Sequence, residues 1–267
     1  MNSTKLARDA RLHCVNMVFQ ARASHIASAL SIVDILSVLY HNILNVFASD
    51  PTNSNRDRFI LSKGHACVGV YAILHELGFI NNEMLETYGE DNSILMNHIS
   101  HKVPGVEFST GSLGHGLSFG VGKALIAKKR NKTWNTFVLM SDGEMQEGSN
   151  WEALMFGAHH KLDNLVAIID YNNLQSLTTV DKTLNIRPLD KKLISFGWHV
   201  IEADGHDHND LTHAFKEAKL VKNKPTIVIA NTIKGKGVSF MENKVEWHYK
   251  SPSKKELERA IADIKNA

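Results

Sequence analysis

Two short polar runs hold the residues best suited to chemistry, Ser141-Asp142-Gly143-Glu144 and Tyr171-Asn172-Asn173. Each follows directly on an apolar, β-branched run, residues 136–140 (TFVLM) and 165–170 (LVAIID). In open parallel sheets, ligands bind at the carboxyl ends of the strands. If these runs are neighbouring strands, Asp142 and Asn172 stand side by side at that edge. A carboxylate and an amide oxygen make a hard oxygen pair, suited to Mg2+ rather than zinc, and Mg2+ completes its octahedron with phosphate oxygens. Gly143 lets backbone approach a phosphate, and a helix starting near Ser149 would turn its positive end toward it. Either run alone reads as an ordinary turn, because Asp-Gly and Asn-Asn are common turn formers. Together, at equivalent ends of successive strands, they favour a diphosphate–metal site.

Other phosphate and metal motifs fail on spacing. Gly122-Lys123 is followed by Ala124, and the earlier glycine of a phosphate-binding loop would fall on Leu117. Gly114, Gly116 and Gly120 miss the dinucleotide spacing, and no strand precedes them. Zinc is weakly supported: His75-Glu76 lacks the second histidine of HExxH, and His206-Asp207-His208 stands in a Gly/Asp-rich turn. His159, His160, His206 and His208 read as surface or turn residues. The stretch from Gly111 to Gly122 carries five glycines, costly in an ordinary helix. They fit where a flat ligand or another helix lies directly on the backbone.

Elements must position these residues. Runs 136–140, 165–170, 198–202 and 226–230 are nearly continuous in apolar residues, as expected of strands covered on both faces. They recur about 30 residues apart with helix-like segments between, the spacing of βαβ units in a parallel sheet. Residues 59–61 are an earlier candidate strand. Helices are expected over residues 5–23, 31–46 and 66–77, and a Ser253-Lys254-Lys255-Glu256 capping box starts a last one. No repeat, low-complexity tract or linker interrupts the chain, so one α/β domain is expected.

Composition narrows the class. The 267 residues are 43% apolar and 22% charged, with a formal charge of +2 and basic residues scattered, which gives no nucleic-acid or membrane footprint. No apolar run approaches the roughly 20 residues that span a bilayer. The opening MNSTKLARDARLHC is amphipathic with charges throughout, unlike a signal peptide. Cys14 and Cys67 sit in apolar helical patterns and read as buried, reduced thiols, consistent with a cytoplasmic protein. Fifteen histidines are an excess for this length.

The Asp142-Gly143 to Asn172 pattern resembles the thiamine diphosphate motif, and further segments narrow the resemblance to transketolases. These are Ser24-His25-Ile26-Ala27-Ser28, Ser62-Lys63-Gly64-His65, Pro104-Gly105-Val106-Glu107, Thr110 to Gly116 (TGSLGHG), Glu147-Gly148 and Thr232 to Gly237 (TIKGKG). They run in the family's order from residue 5 to residue 257. The resemblance implies a three-layer α/β fold with a mostly parallel central sheet and helices on both faces. It implies one thiamine diphosphate-binding domain over residues 1–267, of the kind that binds the diphosphate. The chain is less than half the family's usual length, so it resembles the amino-terminal subunit of a split transketolase. A C-terminal, pyrimidine-binding subunit would complete it as an α2β2 assembly, and alone the chain would be inactive.

The resemblance implies roles residue by residue. Asp142 and Asn172 would bind Mg2+ through side-chain oxygens and Leu174 through its carbonyl, with Ca2+ or Mn2+ able to substitute. Gly143, His65, Lys234 and His248 would hold the diphosphate with Ser28 nearby, and Gly111, Ser112 and Leu113 would line the cofactor. His25, His65, His98 and His248 match the active-site histidines, which near neutrality can donate to sugar hydroxyls and shuttle protons. His101 competes with His98, because the loop before Pro104 is one residue shorter than the family's. Glu147 matches an acidic residue that communicates across the subunit interface, with a solvated helix-start carboxylate as the competing reading and Glu152 a weaker candidate. The implied activity moves a two-carbon ketol unit from a ketose or ketose phosphate to an aldose or aldose phosphate.

Several positions depart from the family pattern: Ser24, Ile26-Ala27, Ser141 and Tyr249 stand where glycine, Pro-Gly, glycine and glycine are usual. Tyr249 would lie near the substrate entrance, which points to an altered acceptor in a specialised sugar pathway. An α subunit of a 2-oxo acid dehydrogenase should lack the TGSLGHG run and the histidine cluster. A deoxyxylulose-phosphate synthase fits Glu147-Gly148 less well, and a non-catalytic assembly or regulatory protein would not need Asp142, Asn172, His65 and His248.

Overall fold

The computed structural model describes residues 2–266, so residues 1 and 267, the outer bounds of the expected domain, lie outside it. Five parallel strands form one sheet in the order β1-β2-β3-β5-β4: β1 Arg58–Leu61, β2 Thr136–Ser141, β3 Leu165–Tyr171, β4 His199–Asp204 and β5 Thr226–Asn231. Alternate side chains sort to opposite faces. Phe59, Leu61, Phe137, Leu139, Val166 and Ile168 enter one core, while Ile60, Val138, Met140, Leu165, Ala167 and Ile169 enter the other. Helices cover both faces, giving the expected three-layer α/β arrangement.

The first face is packed by α1 (Ser3–Ala21), α2 (Ile26–Leu30), α3 (Val33–Val38) and α4 (Cys67–Glu76), after which α5 (Asn82–Glu86) lies toward the rim. The second face is packed by α6 (Gly116–Lys129) and α7 (Gly148–His159), then by α8 (Val180–Thr183) and α9 (Leu189–Ser195). The chain returns to the first face with α10 (His208–Leu220) and closes with α11 (Lys254–Asn266). Before α11 the expected capping box forms: Ser253 N–H donates to Glu256 Oε2 (2.8 Å), and Glu256 N–H to Ser253 Oγ (3.4 Å). Cys14 and Cys67 are free and buried, and burial pushes both thiols up to about 12, which leaves them inert.

Two expectations need correction. Residues 31–46 do not form one helix; α2 ends just before them, and the segment carries only α3 and a wide π-turn at Leu39–Ile43. Every residue of α2 and α3 is buried, so tertiary packing sets the path, and the Ser31 hydroxyl is drawn away to donate to Asp170 Oδ1 (2.6 Å). Trp198 is buried but precedes β4, which is an edge strand only partly covered rather than buried on both faces. The glycine-rich stretch packs on the sheet as well as on another helix, with Gly114 against Ser149 of α7. A Cβ at Gly116 would collide with Ser62, and one at Gly120 with Val138, so α6 rides directly on β2 and the loop after β1.

Candidate functional site

β2 and β3 are parallel neighbours, with Ser141 opposite Asp170, so their polar continuations emerge together at the carboxyl edge. Asp142 is buried there and accepts from the N–H of Gly143 (2.7 Å, Oδ1) and of Asn173 (2.5 Å, Oδ2). Burial, then the charge of Asp170, pushes its carboxyl up to about 7, a setting that a bound cation would reverse. Asn172 accepts from Leu174 N–H through Oδ1 (3.0 Å) and donates to Asp170 Oδ2 (3.0 Å) and Ser31 Oγ (3.2 Å). The amide is therefore fixed with its oxygen turned to the same turn as Leu174.

Asp170, the last buried residue of β3, organises this edge. It takes the Lys63 ammonium at 2.5 Å and also hydrogen bonds from Ser31 and Thr232. Burial alone would raise its carboxyl, but Lys63 and the two hydroxyls outweigh this and hold it below the usual carboxylate range. Lys63 also donates to the Ser28 carbonyl (3.2 Å), which ties the start of α2 to the loop after β1. Glu144 lies equally deep, accepting from Ser62 Oγ and from Gly114 N–H (2.8 Å), and burial raises its carboxyl. The sequence distinguishes neither ion-pair partner, because Lys63 and Asp170 lie far apart along the chain.

These edges wall a cavity of about 240 Å³. Around it stand His25, Ser28, His65, His98, Gly111, Leu113, Asp142, Gly143, Asn172, Leu174, Lys234 and His248, twelve of the fourteen expected site residues. Ring centroids from His25 are 5.2 Å to His65, 5.8 Å to His98 and 5.0 Å to His248. His25 holds the left-handed backbone conformation (φ 69°) and donates its N–H to the His248 carbonyl (2.8 Å). A histidine rarely adopts that geometry, and it is kept here where side chains must converge. Burial, helped by the cationic neighbours, lowers His25 to about 4, His248 to about 3 and His65 well below its usual value; burial also lowers His98. All four imidazoles are therefore neutral at pH 7. His101 is exposed and bonds Ser109 Oγ (2.7 Å, Nδ1), so of the two competitors the cavity contains His98.

Two expected residues stand outside the cavity wall. Ser112 is exposed between Gly111 and Leu113, at a bend in the loop before α6. Glu147 is exposed at the N-cap of α7 with no side-chain capping bond, its stem lying against the Gly114 backbone; Glu152 is exposed on α7. The N-terminus of α7 is displaced from the cavity as well. A short 3₁₀ turn, Gly143–Gln146, intervenes and presents the Gly143 backbone instead. Conversely, Ser141, Gln175, Ser176 and Tyr249 line the cavity without being expected to bind, although Tyr249 is expected near its entrance. His206 is in the expected turn and His208 opens α10, both half-buried against Asp34 at 2.8 and 3.1 Å, while His159 and His160 are exposed as expected.

Fold and cavity together define an α/β domain with a polar cavity, lined by carboxylate, amide, ammonium and imidazole groups, at the carboxyl edge of a parallel sheet. The family model for the transketolase thiamine diphosphate binding domain matches residues 2–263, and the chain belongs to that family. It is 42% identical over 254 residues to an apulose-4-phosphate transketolase subunit of Phocaeicola vulgatus, covering 95% of this chain and 90% of that protein. To a 6-deoxy-6-sulfo-D-fructose transketolase subunit of a Clostridium species it is 35% identical over 241 residues, covering 90% and 88%. The transketolase structure of Campylobacter jejuni superposes with a TM-score of 0.94 at 31% identity over 99% of this chain; that match spans only 43% of the longer protein.

The cavity's residues suit thiamine diphosphate and a divalent cation. Lys234 is 2% exposed, and its ammonium contacts two carbonyl oxygens and a neutral imidazole, leaving its charge for an anion. Gln175 Nε2 is buried without a hydrogen-bond partner, beside Gly143 where a Cβ would crowd it. Asp142 and Asn172 supply hard oxygens with lone pairs to spare.

Proposed function

We propose that this chain is the diphosphate-binding subunit of a two-subunit, cytoplasmic transketolase that moves a two-carbon ketol unit from a ketose to an aldose, the sugars carrying phosphate. The observation that carries the reading is the convergence of Asp142, Asn172, Lys234 and four neutral histidines on one cavity at the β2/β3 edge. In this reading residues 1–267 are one domain. Asp142 and Asn172 bind Mg2+, with Ca2+ or Mn2+ able to replace it, by their side-chain oxygens and Leu174 by its carbonyl. Lys234, His65, His248 and the Gly143 backbone receive the diphosphate, and Ser28, Gly111 and Leu113 close around the cofactor.

Thiamine diphosphate, when bound, supplies the carbanion-stabilising chemistry. The chain's own residues bind, orient and move protons. His248 Nδ1 accepts from Lys234 (2.9 Å), so its proton resides on Nε2, where it can be donated to an anionic or carbonyl oxygen. His25 and His98, held neutral by burial, can each donate to and accept from a sugar hydroxyl. Residues Glu147 and Ser112, outside the wall, are proposed to act at the contact with the second subunit rather than in the cavity. That second chain would bring the pyrimidine pocket in an α2β2 assembly, and relatives that are themselves named as transketolase subunits support a partner.

A ketol-transfer assay of this chain alone, the partner alone and the two mixed tests the proposal. Activity should appear only in the mixture, and only with thiamine diphosphate and Mg2+. Ketol transfer by this chain alone, or none in a mixture that forms a complex and binds the cofactor, would overturn it.

A further inference from the structure

The end of α4 carries His75-Glu76 with no second histidine nearby in sequence, and the fold supplies one from 62 positions upstream. His13 projects from α1, which packs against α4. One ligand atom from each of His13, His75 and Glu76 lies within 4.8 Å of the other two. His13 Nε2 is 2.8 Å from Glu76 Oε1, and the two imidazoles meet edge to face with centroids 4.8 Å apart. His75 Nδ1 faces the Ile80 carbonyl oxygen at 3.3 Å, and a proton held there leaves the lone pair on Nε2. All three side chains are half-buried, so an ion and its water can reach them.

We infer that His13, His75 and Glu76 form a binding site for a zinc-type divalent cation that clamps α1 to α4, separate from the oxygen-lined site at Asp142. Two imidazole nitrogens and one carboxylate oxygen are a donor set that Zn2+ accepts, with water as a fourth ligand, whereas Mg2+ favours all-oxygen surroundings. Around a tetrahedral ion with bonds of about 2.0–2.1 Å the donors must sit roughly 3.3 Å apart, so the wider-set donors close in and the His13–Glu76 pair, now at 2.8 Å, opens slightly. Side-chain rotation at these half-buried positions achieves this, and the ion replaces the proton shared by His13 and Glu76. Because the ligands come from two helices, binding favours the folded chain over the unfolded one.

Co2+ added to the chelator-stripped full-length chain is the direct probe, since a four-coordinate nitrogen–oxygen site gives it a visible absorption band. One equivalent should develop that band, Zn2+ should displace it, and Zn2+ should raise the Tm of the wild-type chain. His13→Asn and Glu76→Gln should each weaken Co2+ binding by roughly tenfold or more, by loss of a ligand. Asp142→Asn should leave the band unchanged. His75→Ala, read by the loss of the Zn2+-induced Tm shift, serves if His13→Asn does not fold. Absence of the band, or a band and Tm shift that persist in the His13, His75 and Glu76 variants because other histidines hold the ion, would overturn the inference.

Discussion

Nζ of Lys234 lies 2.9 Å from Nδ1 of His248, and the same ammonium donates to the carbonyl oxygens of Gln175 (3.0 Å) and Leu174 (3.3 Å). These partners are neutral, since burial first and the Lys234 charge next push His248 down to about 3. A cation buried among neutral acceptors is preorganised for an anionic ligand. Lys234→Ala should therefore weaken thiamine diphosphate binding by roughly 10- to 100-fold, the loss of one charged hydrogen-bonding partner. Titration calorimetry of the assembled protein at saturating Mg2+ measures it.

Asp142 should show the opposite signs for binding and stability. Its carboxyl is pushed up to about 7 by burial and then by Asp170, so the charged form is disfavoured in the cofactor-free fold. Asp142→Asn should abolish Mg2+-dependent cofactor binding while leaving the Tm of the cofactor-free chain unchanged or higher. Calorimetric scans with and without cofactor separate the two effects.

The pair Lys63–Asp170 is the buried brace beneath Asn172. Lys63→Met leaves the Asp170 carboxylate without its cation and should cost about 3–5 kcal/mol of stability. The double variant Lys63→Met with Asp170→Leu removes both charges and should lose less than the single variant. Urea unfolding of the three chains gives the comparison, and equal losses would show that the brace is not an ion pair.

Acid should destabilise the protein in a defined window. His25, His65 and His248 have lowered values in the folded chain, so below about 6.5 the unfolded chain takes up protons that the folded one does not. Stability contributed by keeping them neutral is full above that pH and falls as the pH drops from about 6.5 toward 4. Tm measured across pH 7.5 to 4.5 should fall steadily, and NMR should show His25 still neutral at pH 5.5.

Tyr249 stands 59% exposed at the cavity mouth, its ring 4.7 Å from that of His248 and 5.8 Å from that of His25. If it selects the acceptor, Tyr249→Gly should change the ranking of aldose acceptors while leaving cofactor affinity intact. Competition assays with paired acceptors test this, and an unchanged ranking would remove the tyrosine from specificity.

Most of the sheet and the Asp142–Asn172 pair were legible because they are local. Strands buried on both faces leave continuous apolar runs, and the polar residues just beyond them mark the binding edge. Lys63 with Asp170, Ser62 with Glu144, and His13 with Glu76 were not legible, since each contact joins residues 63 to 107 positions apart and leaves no periodicity. The turn between α2 and α3 at Ser31, whose hydroxyl donates to Asp170 on another element, escaped for the same reason. Glu147 could not be placed from spacing alone, because the intervening 3₁₀ turn sets which way it faces.

Native mass spectrometry of the protein, gently purified from its own source, tests the split, cofactor-binding enzyme most directly. The expected result is a complex containing two copies each of this chain and a second, similar-sized chain, with the added mass of thiamine diphosphate and Mg2+. A homodimer of this chain alone, carrying no cofactor, would contradict that reading and favour an assembly or regulatory role.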